Sequence, residues 1–291
     1  MTQEETVLYF GYGSNLDAKD WNEWCERTGR DPSGITELEP CWLPDHRLKF
    51  HYHSRLREGG AADVEPAGCG HAVPGVLFSL NSNALANMDK KEGHPNIYRR
   101  TNVTVIKGDG TSVEAITYRV QPDRIGDHVA PTSHYVGLIE SNLIRNNLPI
   151  VDLKNAIENN DKSYPVDHLF VYGTLMSGEF RGTTLEQFSI SEGVKAQAEG
   201  ALYHLGDYPG MRPAKNERVI GELHRLDDVF TALQSLDRVE GFYGFTSPDS
   251  LYNRTLIQVE VEQKMIWAWT YFYASEPPAG SKINSGDWRT L

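Results

Sequence analysis

Cysteine is scarce in this chain. Three occur in 291 residues, Cys25, Cys41 and Cys69, all in the first half and none in a Cys-x-x-Cys pair. So sparse and odd a set argues against a disulfide framework and fits the reduced thiols of a cytosolic protein. Basic charge is short as well: 28 Lys and Arg stand against 40 Asp and Glu, a formal net charge of -12. Nucleic-acid binders draw most of their affinity from a basic surface, so that class of partner is set aside. No apolar run is long enough to cross a bilayer, and no membrane partner is expected. The opening residues, MTQEETVLYF, are acidic and lack the charged-then-apolar pattern of a secretory signal. A cytoplasmic protein is the expectation.

What is abundant is ring area and repetition. The chain carries 14 Tyr, 10 Phe and 6 Trp, with 39% hydrophobic and 23% charged residues, enough to build folded cores. Its length suits two domains better than one. A glycine turn occurs twice. Residues 7–16 read VLYFGYGSNL and residues 169–175 read LFVYGTL. Each is a strand-like apolar run that breaks at Tyr-Gly followed by a hydroxyl residue. A second segment also recurs. Residues 75–93 (GVLFSLNSNALANMDKKEG) and 221–241 (GELHRLDDVFTALQSLDRVEG) each start at a glycine and run through a short strand into a helical stretch. Both end in Asp-x-x-Glu-Gly. After each, a tyrosine and an arginine lead into another alternating strand: Tyr98 and Arg100, then Tyr252 and Arg254. The recurrence in order predicts two homologous domains.

The first domain is placed at residues 1–158. It closes on a helical stretch predicted over 133–158, where Tyr135, Leu138, Ile139, Leu143 and Ile144 share one face. The polar, proline-ended NNDKSYP marks a linker, drawn at 159–166, and the second domain takes 167–291. Residues 53–74, rich in Gly and Ala, read as a long loop of the first domain, functional or disordered.

The chemistry centres on two glutamates. Leu85, Met88 and Glu92 fall at helix offsets i, i+3 and i+7, and Leu233, Leu236 and Glu240 repeat them. Those offsets share a helical face, so each glutamate lies on the side turned to the core. A carboxylate there is costly without a partner or a purpose. Desolvation raises its pKa toward the range a proton shuttle needs. A structural reading stands beside this one: Glu92 and Glu240 satisfy a buried backbone group or pair with Arg100 and Arg254. The following glycine ends the helix in the left-handed conformation. The turn itself offers backbone N–H groups at a helix start as an anion or oxyanion cradle, with Asn15 as a side-chain donor. Other constellations are weaker. His51 and His53 are spaced like a metal pair on a strand but lack a third ligand, and no metal or cofactor is expected. Ser14 lacks the flanking pattern of a hydrolase nucleophile elbow.

These residues carry a resemblance. The chain resembles two tandem domains of the γ-glutamylcyclotransferase family, which includes AIG2-like proteins and γ-glutamylamine cyclotransferases. The first half is similar to the longer γ-glutamylcyclotransferase branch through FGYGSNL (10–16), LKF (48–50), GGAADVEP (59–66), VPGVLFSL (73–80), MDKKEGHPNIYRR (88–100) and PTSHYVGLI (131–139). The second half is similar to the shorter AIG2-like branch through VYGTL (171–175), GALYHLGDYPGM (200–211), GELHRLD (221–227), LDRVEG (236–241) and SGDWR (285–289). It departs by having Thr174 for Ser14 and Leu175 for Asn15.

The resemblance implies an α+β fold, a small mixed β-barrel with flanking helices in each domain. It implies an enzyme that frees 5-oxoproline and an amine from a small γ-glutamyl amide. The substrate's own α-amine attacks its γ-carbonyl, so no protein nucleophile, metal or cofactor is needed. Glu92 and Glu240 would be the acid/base residues. Tyr12, Gly13, Ser14, Asn15 and Leu16 would form one cradle, and Tyr172, Gly173, Thr174 and Leu175 the other. Tyr98 would line the first site, while Tyr252, spaced further from its glutamate, matches less closely. Two alternatives stay open: a non-catalytic γ-glutamyl-binding protein, or one catalytic domain with the other structural. The leaving amine and any contact between the two domains also stay open.

Overall fold

The computed structural model describes residues 6–290. The first five residues of the acidic N-terminus, and residue 291, lie outside the described residues. The chain divides into two units. One comprises the described residues up to Lys107 with Val113–Pro165, the other Gly108–Ser112 with Val166 onward.

In the first unit the apolar run at the start forms strand β1 (Val7–Gly11), followed by helix α1 (Ala18–Thr28). Strands β2 (Ile35–Pro44), β3 (His46–Ser54), β4 (Gly59–Pro66) and β5 (Ala72–Leu80) precede helix α2 (Ser82–Glu92). Strands β6 (Tyr98–Lys107) and β7 (Ser112–Val120) follow, then helices α3 (Ser133–Arg145) and α4 (Val151–Ile157). Five strands close into a barrel in the order β1-β5-β2-β6-β7, and β3 and β4 form a separate hairpin. Closure comes from a single parallel contact, Tyr9 of β1 beside Ile116 of β7. A closed barrel leaves no edge strand open to other chains.

The second unit repeats the plan. Strand β8 (His168–Val171), helix α5 (Gly182–Glu186) and strands β9 (Val194–Glu199), β10 (Ala201–His204), β11 (Pro209–Arg212) and β12 (Arg218–Arg225) lead to helix α6 (Val229–Glu240). Strands β13 (Tyr252–Val261) and β14 (Lys264–Tyr273) complete it. Its barrel runs β12-β8-β14-β13-β9, with β10 and β11 as the separate hairpin. Matched by sequence order, every neighbour corresponds. The closing contact is again parallel, Leu169 beside Trp269.

The glycines that open the recurring segment have a steric role. A Cβ on Gly75 would stand 2.3 Å from the Gly11 carbonyl oxygen, and one on Gly221 would stand 2.2 Å from that of Val171. In both units a strand backbone therefore touches the last residue before the Tyr-Gly turn. The helices that carry the glutamates start and stop as their sequences dictate. Asn81 caps α2 by accepting from the Ala84 N–H, and Asp228 caps α6 by accepting from that of Thr231. Gly93 and Gly241 end them at φ of 63° and 62°. Each glutamate is thus the last residue of its helix.

Two expectations are corrected. Residues 53–74 are no loop: 59–66 form β4, paired with β3, and β5 begins at Ala72. The Gly and Ala there allow close packing, since a Cβ on Gly60 would lie 2.0 Å from the Val129 carbonyl oxygen. The helix expected over 133–158 is two helices. Asn147 turns left-handed at φ 54°, and Pro149 has no N–H to continue the ladder. Among the described residues no disulfide joins the cysteines, and Cys25 and Cys41 are buried thiols. No helix among the described residues is long and apolar enough to cross a membrane.

Candidate active sites

The turn and the glutamate of each unit are held by the same set of bonds. Thr117 donates to the Phe10 carbonyl at 2.9 Å, as Thr270 does to that of Phe170. The Tyr12 hydroxyl donates to the Tyr118 carbonyl, and the Tyr172 hydroxyl to the Tyr271 carbonyl at 2.6 Å. Both turn tyrosines are therefore tied by their hydroxyls to the last barrel strand. The aspartate of Asp-x-x-Glu-Gly takes the arginine of the following strand. Asp89 accepts from Arg100 at 3.0 Å and from the Tyr118 hydroxyl at 2.7 Å. Asp237 accepts from Arg254 at 2.7 Å and from the Tyr271 hydroxyl at 2.8 Å. The expected pairing of the glutamates with these arginines is thereby corrected: Arg100 and Arg254 pair with the aspartates one helical turn earlier, and Glu92 and Glu240 line the cavities.

In the first unit the cavity measures about 440 Å³. Tyr12, Gly13, Ser14, Asn15, Glu92 and Tyr98 line it, so most of the expected residues meet there. Leu16 lies behind them in the core. The Asn15 amide donates to Glu92 Oε1 at 2.6 Å and to the Tyr9 hydroxyl at 2.9 Å. Burial pushes the Glu92 carboxyl above the usual carboxylate range. The Asn15 hydrogen bond and the charges of Lys91 and Arg57 offset part of that rise. Beside it stands a charged cluster that the sequence did not reveal. Arg57, from the β3–β4 connection, grips Asp20 with two bonds of 2.8 Å and donates to the Ser14 hydroxyl at 2.9 Å. Lys91 also reaches Asp20, at 2.7 Å. Burial alone would raise the Asp20 carboxyl, but these two cations bring it down to about 2. Two cations on one carboxylate leave the Asp20–Arg57–Lys91 cluster itself with one positive charge over, beside Glu92.

The second cavity is smaller, about 100 Å³. Tyr172, Gly173, Thr174, Leu175 and Glu240 all line it, together with Arg181, Tyr208 and Tyr252. The Leu175 side chain offers Glu240 no donor, and among the described residues no hydrogen bond or ion pair holds that carboxyl. Burial pushes it up to about 7, with Arg181 acting in the opposite direction.

Tyr252 is the counterpart of Tyr98. Tyr98 donates to the Ala62 carbonyl of β4 at 2.9 Å, and Tyr252 to the Pro209 carbonyl of β11 at 2.6 Å. The longer spacer before Tyr252 is looped out. In both units the residue before the tyrosine, Ile97 or Leu251, donates its N–H at 3.0 Å to the carbonyl of the cap glycine. The supposed metal pair does not form. His51 is buried against Asp63 at 2.7 Å while His53 is exposed.

A duplicated closed barrel, each copy turning a helix-terminal carboxylate toward a cavity under a glycine turn, defines a tandem α+β protein with two candidate reaction centres. The family model described as gamma-glutamyl cyclotransferase, AIG2-like, matches residues 9–136 and again 169–290, and the chain belongs to that family. It is similar to the gamma-glutamylcyclotransferase of Bos taurus, 31% identical over 165 residues, 54% of this chain and 81% of that one. It is also similar to the gamma-L-glutamyl-butirosin B gamma-glutamyl cyclotransferase of Niallia circulans, 28% identical over 123 residues, 42% of this chain and 75% of that one. Among solved structures, a gamma-glutamyl cyclotransferase aligns with a TM-score of 0.44 and 25% identity, over 53% of this chain and 87% of that one.

Proposed function

We propose that the chain is a γ-glutamylcyclotransferase with a reaction centre in each unit, the two divided at 159–166. One observation carries the reading. In both cavities a glutamate with no ion pair among the described residues is desolvated beside the glycine turn, with its pKa raised. Such a carboxylate accepts a proton near neutral pH and gives it back. Glu92, or Glu240 in the second unit, takes a proton from the substrate's α-ammonium. The freed amine attacks the γ-carbonyl carbon, closing a five-membered ring. Backbone N–H groups of the turn, 13–15 or 173–175, stabilise the oxyanion. The ring nitrogen loses its second proton to solvent, the carbonyl re-forms, the bond to the leaving nitrogen breaks, and the glutamate returns its proton to that nitrogen. The products are 5-oxoproline and a free amine. Holding the glutamyl chain folded supplies much of the rate, because the nucleophile is already part of the substrate. Tyr98 and Tyr252 shape the wall opposite the turn.

The test is a product assay. The protein is incubated with a panel of γ-glutamyl amino acids and γ-glutamyl amines, and 5-oxoproline is measured by mass spectrometry. Glu92→Gln and Glu240→Gln are each expected to remove one activity, by about 10²–10⁴-fold, and the double variant both. Intact γ-glutamyl ligand that stays bound through long incubation would instead indicate a binding protein. The small second cavity favours one further reading, in which only the first unit turns over. Glu240→Gln would then leave all product formation unchanged.

A further inference from the structure

The second turn is held by a device that the first lacks. Glu222 of β12 follows Gly221 and sits opposite Val171, the last residue before Tyr172. Its Oε2 accepts from the Ser177 N–H at 2.8 Å and from the Ser177 hydroxyl at 3.0 Å, and lies 3.3 Å from His224 Nε2. Its Oε1 accepts from Arg289 at 2.8 Å, and the same guanidinium nitrogen donates to the Ser177 carbonyl at 2.6 Å. Every polar atom of Ser177 is thus bonded to the Glu222–Arg289 pair. Burial alone would raise the Glu222 carboxyl, yet the bonds from Ser177, Arg289 and His224 hold it below the usual range. The pair is buried at its carboxylate end, with the Glu222 side chain only 10% exposed.

Ser177 is two residues past Leu175, and the intervening chain is tightly bonded. Met176 donates to the Gly173 carbonyl at 2.9 Å, and the Arg181 N–H to that of Thr174 at 2.8 Å. Fixing Ser177 therefore fixes Gly173, Thr174 and the cavity residue Arg181. The segment that supplies Arg289 is itself anchored. The Ile220 N–H donates to the Gly286 carbonyl at 2.8 Å, and the Ile283 N–H to that of Leu202 at 2.8 Å. A Cβ on Gly286 would come within 1.9 Å of the Arg218 carbonyl oxygen. In the first unit the place of Glu222 is held by Val76, next to Gly75. There the turn is braced by Arg57 on Ser14 and by Asn142 on Asp17 at 3.0 Å.

We infer that Glu222 and Arg289 are positioning residues of the second site, and that this site is incomplete without the 285–290 segment. The inference rests on the second cavity being a γ-glutamyl site, so its test has an arm independent of turnover. Arg289→Ala and Arg289→Lys are made in the full chain carrying Glu92→Gln, which silences the first site. Amide exchange is followed across the whole unit, and binding of 5-oxoproline is measured by calorimetry. Arg289→Ala is expected to speed exchange at 173–178 at least tenfold while β12 and β14 keep their protection. It should weaken 5-oxoproline binding several-fold and lower kcat of the second site more than it raises KM. Arg289→Lys should recover part of each effect, because the ammonium keeps the charge and its donors on a shorter, non-planar head group. Glu222→Gln, which keeps shape and one acceptor, should fall between. Unchanged exchange at 173–178, or faster exchange spread evenly over the unit, would overturn the inference. If no variant, including the wild type, made 5-oxoproline, the cyclotransferase reading would fall while exchange still judged the brace.

Discussion

Asn15 donates to Glu92 at 2.6 Å, and Leu175 stands where a second Asn15 would be needed to do the same for Glu240. One chain therefore holds two versions of a desolvated helix-terminal carboxylate. The first has a neutral donor aimed at its charged form. The second is left to burial and the charge of Arg181. A hydrogen bond to the ionised form lowers a carboxyl pKa, so the two sites should titrate apart, with the first lower.

The pH dependence follows from the sign of that difference. As a base each glutamate must be ionised, so each activity should fall as pH drops through its pKa. In the Glu92→Gln background the acidic limb of kcat/KM should lie near 7, as burial of Glu240 dictates. In the Glu240→Gln background it should lie lower. Adding Asn15→Leu there should move the limb upward, because the bond that favours the charged form is gone. Profiles from pH 5 to 9 with one substrate check it. Coincident limbs in the two backgrounds would contradict the assignment.

Stability carries the same signature. A carboxyl raised from its ordinary 4.5 to about 7 binds a proton more tightly when folded. The second unit should then lose stability as pH rises from 4.5 to 7, and the full loss should be present above 7. Glu240→Gln removes that charge. It should stabilise the second unit by up to about 3 kcal/mol at pH 8 and by little at pH 4. Urea unfolding at the two pH values measures the difference.

The two Asp–Arg pairs look alike but differ in burial. Arg254 is 1% exposed and lies under the Phe242, Phe245 and Trp269 rings at 5.1, 5.3 and 5.3 Å from their centres. The Arg100 side chain is 38% exposed. Removing one partner of a buried pair leaves an uncompensated charge, at a cost of about 3–5 kcal/mol. An exposed pair contributes about 1 kcal/mol or less. Arg254→Ala should therefore destabilise the second unit severalfold more than Arg100→Ala does the first. Chemical denaturation with a fluorescence signal from each unit would check the ratio.

Much of this was legible in the sequence because it is written in local chemistry. The offsets Leu85, Met88, Glu92 and Leu233, Leu236, Glu240, closed by glycine, place each carboxylate at a helix end facing inward. The repeated Tyr-Gly turn marks where the first strand of each barrel ends. What stayed hidden depends on contacts distant in sequence. Arg57 sits in a stretch whose Gly and Ala content reads as loop, although those small residues are there to let 129–130 pack against β4. Arg181 lies in a segment with no periodicity to place it. Tyr252 was obscured by a spacer that changes length without changing the hydrogen bond that closes it. Arg289 meets Glu222 across 67 residues, and only the folded backbone brings them together.

Gly75 and Gly221 should be intolerant of even a methyl group. Their added Cβ atoms would stand 2.3 and 2.2 Å from backbone oxygens, which cannot rotate away as a flexible side chain could. Relief requires β1 or β8 to shift beside the Tyr-Gly turn. Overpacking of this kind costs about 1–3 kcal/mol. Gly75→Ala should lower first-site turnover and leave the second nearly untouched, and Gly221→Ala should do the reverse. The paired Glu→Gln backgrounds separate the two readings.

Arg57 should govern affinity more than rate at the first site. With Asp20 shared between Arg57 and Lys91, this three-residue cluster carries one positive charge more than its carboxylate, next to Ser14 and Glu92. Arg57→Ala leaves Lys91 and Asp20 to balance each other, so the cluster becomes neutral. An anionic group on the substrate then loses its counter-charge, while the glutamate and the turn amides remain. KM for γ-glutamyl amides bearing a carboxylate on the leaving amine should rise about tenfold or more, about 1.4 kcal/mol. Uncharged leaving amines should change less, and kcat little. Salt adds a second check, since screening weakens an exposed charge contact. KM of the unaltered site should rise with ionic strength, and that of the Arg57→Ala site should stay nearly flat. An equal rise for charged and uncharged amines would place the arginine on the glutamyl end of the substrate instead.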